Sequence, residues 1–238
     1  MTRQYHFPLP LQAAMGLEDF LPSSSNEEGV AWLLRREPSS WPSHALVLWG
    51  PEGAGKTHLL SIWCERQKAQ RIALGDPVLA AIVNGKALAP AFALDDADAC
   101  VGDPAQEEWL QHFYNATKAA SLPVLLTALH PPALWGLGLR DIETRLKSCV
   151  SASLHEPDDA LMRGLLMKLF SDRQLMVEVG VVDYLSARLE RTTAAVRDAV
   201  AQLDEAALGE GRKISIPFAQ KVLAQNEPEA EDNGRKDA

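Results

Sequence analysis

One octapeptide narrows the choice of folds for this chain sharply: residues 50–57 read GPEGAGKT, which matches the pattern GxxxxGKT. A short and wholly apolar run at 45–49 precedes it, and a segment with helical composition, about 56–70, follows it. Strand, glycine loop and helix in that order form a phosphate-binding loop, because the backbone N–H groups and the helix N-terminus attract an anion. The alternative is a glycine-rich turn that binds nothing.

The residue types of this loop predict a nucleotide site. Glycines allow the backbone to approach phosphates closely, Lys56 is expected to reach the β- and γ-phosphates, and Thr57 is expected to ligate Mg²⁺. The expected ligand is ADP or ATP with Mg²⁺. The residues predicted to bind it are Gly50, Pro51, Gly53, Ala54, Gly55, Lys56, Thr57 and His58.

Two carboxylates, Asp95 and Asp96, follow a second apolar run at 90–94. Carboxylates at the end of a buried strand cost solvation free energy unless they meet a cation. If their strand lies next to the strand of the glycine loop, Asp95 is the expected Mg²⁺ ligand and Asp96 is placed to orient an attacking water as a catalytic residue. The alternative is a strand-ending turn with solvated acids.

Three further residues are candidates because of their positions. Thr127 ends the next buried strand, where a polar side chain would lie near the γ-phosphate, although it could equally be an ordinary strand-terminal threonine. Arg145 lies just before the fifth predicted strand, and Arg197 lies in a long helix near the C-terminus. A solvated surface charge is the alternative for both arginines.

Apolar runs and helical periods alternate up to residue 156 and predict an α/β domain. Beyond Pro157 only helical patterns remain. We predict an extended leader at 1–15, an α/β domain at 16–156, a helical domain at 157–224 and a disordered acidic tail at 225–238. The predicted strands are 45–49, 71–74, 90–94, 123–127 and 149–154, and the predicted helices are 26–36, 56–70, 107–120, one that Asp158 and Asp159 cap, 181–190, 193–208 with Gly209 and Gly211 as its stop, and 216–224.

The composition argues against a nucleic-acid surface, a disulfide-rich fold, a zinc site and a membrane span. The 238 residues carry a net charge of −9 and no Lys/Arg block, which argues against a broad nucleic-acid surface. The three scattered cysteines predict neither a disulfide framework nor a zinc site and fit a reducing cytoplasm. The sequence shows no signal peptide and no apolar run that could span a membrane, so we expect a cytoplasmic protein.

Together these residues resemble the AAA+ family and, more narrowly, DnaA and its shorter relatives, the regulatory inactivators of DnaA (the Hda family). The resemblance implies an AAA+ P-loop NTPase domain with a central parallel sheet, followed by a small all-helical lid. The stretches that carry it are 50–57 (Walker A), 94–96 (Walker B), 126–127 and 131–132 (sensor 1), 137–139 leading to 144–146 (arginine finger), and 196–197 (sensor 2).

Two features favour the inactivator over the initiator. The given chain ends after the lid helices, whereas the initiator continues into a DNA-binding helix-turn-helix domain. The leader contains Gln4, Phe7 and Leu9 in a pattern similar to the peptide that docks on the DNA polymerase III sliding clamp, the β subunit. Such peptides insert apolar anchors into a pocket while the glutamine hydrogen-bonds at its rim. An ordinary terminal segment is the alternative.

The resemblance implies a regulator that binds the clamp and inhibits replication by stimulating hydrolysis of DnaA-bound ATP. Arg145 would be the arginine finger offered in trans, and Arg197 would contact the chain's own nucleotide between α/β domain and lid. The implied partners are DnaA and the clamp; DNA would be contacted only indirectly, no membrane is involved, and a homodimer is allowed. The chain would activate a partner's ATPase rather than turn over ATP itself.

Two positions depart from the family pattern, since Leu129 stands where an acidic residue is common and Cys149 stands where the initiator has a second arginine. Asp95 and Asp96 nevertheless look intact. This keeps open an autonomous AAA+ ATPase, such as a helicase or clamp-loader component that uses Asp96. A second alternative is an adaptor that binds the clamp and holds a nucleotide only for structural reasons. A small P-loop kinase is disfavoured, because such a kinase would not account for the helical region after Pro157.

Overall fold

The computed structural model describes residues 21–210 and 213–224. The predicted clamp-binding residues Gln4, Phe7 and Leu9 and the predicted acidic tail lie outside the described residues. The described chain divides into two compact units, each with its own core. The first, here the α/β unit, contains 21–22, 27–50 and 56–154; the second, here the helical unit, contains Ser23–Asn26, Pro51–Gly55 and the described residues from His155 onward.

The α/β unit alternates strands and helices as the apolar runs predict. Its described elements are α1 (Glu27–Leu33), β1 (Ala45–Trp49), α2 (Lys56–Gln67), β2 (Gln70–Ile72), α3 (Val78–Val83), β3 (Phe92–Leu94), α4 (Pro104–Ala119), β4 (Val124–Ala128), α5 (Arg140–Lys147) and β5 (Val150–Ser153). All the described strand pairs are parallel. The five predicted strands therefore exist, and their ends differ from the predicted ends by at most two residues.

The order of strands in the sheet is β2-β3-β4-β1-β5. All of β4 and nearly all of β1 are buried, as expected for apolar strands that are covered on both faces. Thr127 pairs with Leu48 of β1, so its strand lies beside the strand that leads into the glycine loop. The expectation that the strand before Asp95 and Asp96 is adjacent to β1 is wrong, because β4 separates β3 from β1. Asp95 is instead linked to the strand beside β1 through its contact with Thr127 of β4.

The core of the α/β unit explains the apolar stripe of α4. Leu110, Phe113 and Tyr114 are buried, as the helical period predicts. The ring of Phe113 lies 5.1 Å from that of Trp109 in a stacked arrangement and 6.0 Å from that of Phe92 in an edge-on arrangement. These aromatic contacts pack α4 against β3 and thereby support the strand that leads to Asp95.

The helical unit contains α6 (Asp159–Asp172), α7 (Val179–Ser186), α8 (Thr193–Glu210) and α9 (Ile216–Ala224). Asp158 caps α6 as predicted, since its carboxylate accepts a 2.7 Å hydrogen bond from the N–H of Leu161. That bond, and a second one from the Ser24 hydroxyl, lower the pKa of Asp158. The prediction that Gly209 stops the long helix is wrong, because α8 continues through it to Glu210.

Two short helices of the α/β unit were not predicted. One is α3, a run of apolar residues; the other is α5, which carries Arg145. In α5, Ile142 and Leu146 are four residues apart and buried, while the other positions are polar, so its only sequence signal is one turn of amphipathic period. Within residues 21–210 and 213–224, no helix is long and apolar enough to cross a bilayer.

A buried carboxylate positions the start of α5. Glu107 of α4 is only 4% exposed, and it accepts hydrogen bonds from the backbone N–H groups of Gly138 (2.8 Å), Leu139 (3.2 Å) and Gly102 (3.2 Å). Leu139 immediately precedes α5, so the negative charge lies at the positive end of that helix. Glu107 therefore joins α4 to the loop before α5 and orients the helix that carries Arg145.

We expect Glu107→Ala to destabilise the protein by about 1–3 kcal/mol, because the backbone N–H groups of Gly102, Gly138 and Leu139 would lose a buried, charged acceptor. Glu108→Ala is the matched control, since the side chain of the neighbouring Glu108 is 70% exposed and pairs only with His112 at the surface. The control should change stability by less than about 0.5 kcal/mol. Urea unfolding followed by circular dichroism measures both. Equal stabilities would contradict the anchoring role of Glu107.

Candidate functional site

The glycines of residues 50–57 allow a backbone that other residues would not. A Cβ atom on Gly50 would overlap the carbonyl oxygen of Leu154. Gly53 and Gly55 have φ angles of +72° and +97°, in the left-handed region that favours glycine. No atom lies within 4 Å of the position that a Cβ would occupy on Gly55, so the backbone there is open to a ligand.

Lys56 and Thr57 are the first two residues of α2. Lys56 is buried, and its Nζ donates a 2.7 Å hydrogen bond to the carbonyl oxygen of Gly50, which holds the ammonium group beside the loop. Thr57 is exposed and His58 is half-buried. An open glycine backbone, a helix N-terminus and a cation held nearby fit the phosphates of a nucleotide.

The middle of the glycine loop belongs to the helical unit, where it contacts the start of α8. The carbonyl oxygen of Gly53 accepts a 3.2 Å hydrogen bond from the N–H of Thr193, the first residue of α8. The half-buried Arg197 is four residues further along that helix, on the same face as Thr193. Within this unit, the predicted sensor 2 arginine therefore lies one helical turn beyond the contact between loop and helix.

Arg191 is a residue of this region that sequence reasoning missed. Its guanidinium contacts the Asp159 carboxylate at 2.5 Å and the carbonyl oxygen of Pro157 at 3.3 Å. The segment 191–193 thus contacts the glycine loop through Thr193 and the start of α6 through Arg191. The arginine has no flanking motif in the sequence, and only the fold of the helical unit brings it to Asp159.

Thr127 holds the acid pair at the ends of β3 and β4. Its buried hydroxyl donates a short hydrogen bond to the Asp95 carboxylate and accepts one of 2.9 Å from the N–H of Asp96. Asp96 itself is exposed and has a φ of +51° and a ψ of +50°, a left-handed conformation that aspartate tolerates better than most residues. Three of the predicted site residues are therefore brought together.

A second unforeseen arginine contacts this acid pair. The guanidinium of Arg71, in β2, lies 3.0 Å from the second carboxylate oxygen of Asp95 and 3.3 Å from the hydroxyl of Ser61 in α2. Arg71 pairs with Ala93 of β3 in the sheet, which explains its position beside Asp95. No sequence motif marks it, because strand order is needed to place β2 beside β3.

The oxygen donors of Thr57 and Asp95 are of the kind that Mg²⁺ takes in phosphate sites, where one or two protein ligands accompany phosphates and water. Among the described residues, no group of three or more His, Cys, Asp or Glu side chains could hold a metal ion by itself. The donor set thus fits Mg²⁺ bound together with a nucleotide, although Arg71 already neutralises Asp95.

A carboxylate, that of Asp98, contacts the backbone at Leu129, the position where an acidic residue is common in the family pattern. Leu129 is exposed, but its backbone N–H donates a 2.8 Å hydrogen bond to Asp98, which also accepts a 3.3 Å bond from the N–H of His130. Asp98 belongs to a short 3₁₀ turn, Ala97–Cys100, after β3. A carboxylate is therefore present beside this loop, and it comes from a different segment of the chain.

Arg145 lies on α5 with a side chain that is 34% exposed. Its Nε donates a 2.8 Å hydrogen bond to Asp141, one turn earlier on the same helix, and this bond raises the pKa of the guanidinium. Cys149, at the position of the initiator's second arginine, is buried, and its thiol donates to the carbonyl oxygen of Arg145. Of these two positions, only Arg145 can present a cation at the surface of the unit.

Comparison with known proteins agrees with both units. A family profile described as "Hda, lid domain" matches residues 159–223, which contain α6, α7, α8 and all but the last residue of α9. The structure of domain III of the replication initiation protein DnaA from Thermotoga maritima superposes with a TM-score of 0.75 at 16% identity, covering 91% of this chain and 98% of that one. The helical unit therefore matches the lid domain of Hda, and the chain as a whole shares the fold of AAA+ domains such as that of DnaA.

Other similar proteins extend the comparison. An uncharacterised protein of Haemophilus influenzae is 26% identical over 231 residues, which are 94% of this chain and 99% of that protein. AMPPCP-bound DnaA from Aquifex aeolicus has a TM-score of 0.65 at 17% identity and covers 83% and 66% of the two chains. A variant of RuvB from Thermotoga maritima has a TM-score of 0.68 at 16% identity, with 89% and 72% covered. At these identities, the structures show a shared AAA+ fold.

We expect Gly53→Ala to destabilise the protein more than Gly85→Ala does. Both glycines have positive φ angles, so each alanine should cost about 1–2 kcal/mol of strain. A Cβ on Gly53 would also lie 2.5 Å from the Cβ of Thr192, whereas one on Gly85 would meet no atom within 4 Å. Thermal unfolding of the two variants measures the difference, and equal melting temperatures would argue against close contact between the loop and Thr192.

Proposed function

We propose that this chain regulates the initiation of chromosomal replication in the cytoplasm by stimulating hydrolysis of the ATP bound to DnaA. Arg145 would act in trans as an arginine finger, and the leader with Gln4, Phe7 and Leu9 would bind the sliding clamp. The observation that supports this most directly is the position of Arg145: a partly exposed guanidinium on a surface helix whose start is anchored by Glu107. DnaA would be converted to its ADP-bound form, and re-initiation of replication would be suppressed.

The surroundings of Arg145 suit a cation that acts on a partner's phosphates. Its present partner Asp141 is itself half exposed, and ion pairs between exposed residues four apart on a helix contribute little to stability. The guanidinium can therefore exchange Asp141 for a phosphate at small cost. A planar guanidinium can also bind two phosphate oxygens at once and neutralise charge on the transferring phosphoryl group.

The chain's own nucleotide, ADP or ATP, is proposed to bind at residues 50–57, with Lys56 on the phosphates and Arg197 as a further contact. Mg²⁺, when bound through Thr57 and Asp95, would supply additional charge neutralisation. The contact of Gly53 with Thr193, at the start of the helix that carries Arg197, supports a role of the loop in ordering the helical unit. Binding of nucleotide would then stabilise the form that offers Arg145 to DnaA.

An autonomous ATPase is a second candidate, supported by the arrangement of Asp95, Asp96 and Thr127. The exposed Asp96 could orient a water against the chain's own ATP. Turnover by the isolated protein separates the two functions, because the regulator is expected to hydrolyse little ATP without partners. Loss of turnover in Asp96→Asn, with DnaA stimulation retained, would show that both activities exist side by side.

We expect Arg145→Ala to abolish most of the stimulation of DnaA ATPase in an assay with sliding clamp loaded on DNA. Trans arginines are worth about 10³–10⁵ in rate, or about 4–7 kcal/mol of barrier, so a loss of at least about tenfold should be measurable. Arg140→Ala is the matched control, because Arg140 is an exposed arginine on the same helix and should be dispensable. Full stimulation by Arg145→Ala would refute the finger assignment.

The clamp tether predicts a separate effect of the leader. Gln4→Ala should weaken capture of the protein on immobilised sliding clamp by about tenfold or more, because a hydrogen-bonding anchor at an interface hot spot commonly contributes more than 1 kcal/mol. Gln12→Ala, a glutamine of the same leader outside the motif, should bind normally. Equal capture of both variants would remove the clamp from the proposal and leave Arg145 untouched.

A further inference from the structure

Both oxygens of the Asp95 carboxylate are engaged by groups of the protein itself. One accepts the hydroxyl hydrogen of Thr127, and the other lies 3.0 Å from the guanidinium of Arg71. Arg71 is in turn held by Ser61, at 3.3 Å. The side chain of Asp95 is 24% exposed and that of Arg71 is 47% exposed, so the pair lies where a soluble cation could also reach the carboxylate.

A guanidinium and a divalent cation compete for such a carboxylate. Mg²⁺ must contact a ligand oxygen directly and at short distance. The carboxylate oxygen of Asp95 that faces Arg71 is instead occupied by an N–H donor. Binding of Mg²⁺ through Asp95 therefore requires that Arg71 moves away, against a favourable charge interaction. Because the pair is partly exposed, the interaction between Arg71 and Asp95 is modest. It therefore weakens Mg²⁺ binding at Asp95 without preventing it.

We propose that Arg71 is a positioning residue that acts as an internal counter-ion of Asp95 and makes nucleotide binding by this chain weakly dependent on Mg²⁺. This inference rests on the proposed nucleotide site at residues 50–57. A carboxylate that is already neutralised by an arginine of the protein does not need a metal ion to balance its charge when a polyphosphate binds. The chain therefore retains ADP without help from Mg²⁺, which suits a regulator that offers Arg145 to another protein's ATP and does not hydrolyse its own.

The test compares Mg²⁺ dependence in nucleotide-stripped full-length protein. Fluorescent N-methylanthraniloyl-ADP is titrated in EDTA and across a Mg²⁺ series, and Mn²⁺ binding to the protein–ADP complex is followed by electron paramagnetic resonance. The measured quantity is the ratio of ADP affinity in Mg²⁺ to ADP affinity in EDTA. This ratio should be about fivefold larger in Arg71→Ala and in Arg71→Gln, which keeps a hydrogen-bond donor without the charge, than in the wild type. Mn²⁺ should bind the variants about fivefold more tightly.

Arg66→Ala is the matched control. It removes another partly exposed arginine, whose partner Glu37 lies 2.5 Å away, and it should leave the Mg²⁺ response unchanged. If the Arg71 variants respond to Mg²⁺ and Mn²⁺ as the wild type does, the counter-ion role is refuted, whereas the finger role of Arg145 stands. If none of the proteins binds the fluorescent ADP, the nucleotide site fails and this inference with it. Circular dichroism confirms folding, and Arg71→Gln alone decides if Arg71→Ala is unfolded.

Discussion

Because the five strands run parallel, their carboxyl ends fall on one edge of the sheet, and the residues that follow the strands are collected there. The glycine loop follows β1, Asp95 follows β3, and Thr127 lies near the end of β4. The pairing of Leu48 with Thr127 and of Leu94 with Leu126 sets the register that lets the Thr127 hydroxyl reach Asp95. A slip of one residue would turn Thr127 to the other face of the sheet and break this contact.

Carboxylates serve two different purposes in the α/β unit, and the groups that they contact distinguish them. Glu107 and Asp98 accept hydrogen bonds from backbone N–H groups of loops and thereby hold those loops in place. Asp95 and Asp141 instead pair with guanidinium groups that are partly exposed. Buried acceptors are costly to remove, whereas exposed ion pairs exchange partners easily. The carboxylates that bind backbone N–H groups thus fix the loops, whereas those that pair with guanidinium groups leave Arg71 and Arg145 able to exchange partners with a ligand.

The two arginines would then have complementary roles. Arg71 neutralises an acid of the chain's own candidate nucleotide site, and Arg145 is held at the surface by a helix whose start is fixed from α4. An arginine suits both positions because it stays charged at any physiological pH and binds oxygen pairs with a rigid planar group. In the proposed regulator, the chain's own nucleotide would be a structural ligand, and the catalytic contribution of Arg145 would act on the partner's ATP.

The amino-acid sequence by itself determined the phosphate-binding loop, the five strands, the helical C-terminal region and the acid pair. These features depend on local patterns: the spacing of glycines, uninterrupted apolar runs and the 3.6-residue period. The resemblance to the AAA+ and Hda families rests on motifs within the same stretches. Short elements such as α5 escaped prediction, since one amphipathic turn around Ile142 and Leu146 is too weak a signal.

Only the tertiary structure decided which distant residues meet. The insertion of β4 between β1 and β3 brings Thr127 to Asp95, and the pairing of β2 with β3 brings Arg71 to the same carboxylate. Glu107 reaches Gly138 and Leu139 across 31 and 32 residues of chain for the same reason. Strand order and long-range contacts arise from the packing of the whole chain, whereas a local pattern records only which face of each element is buried.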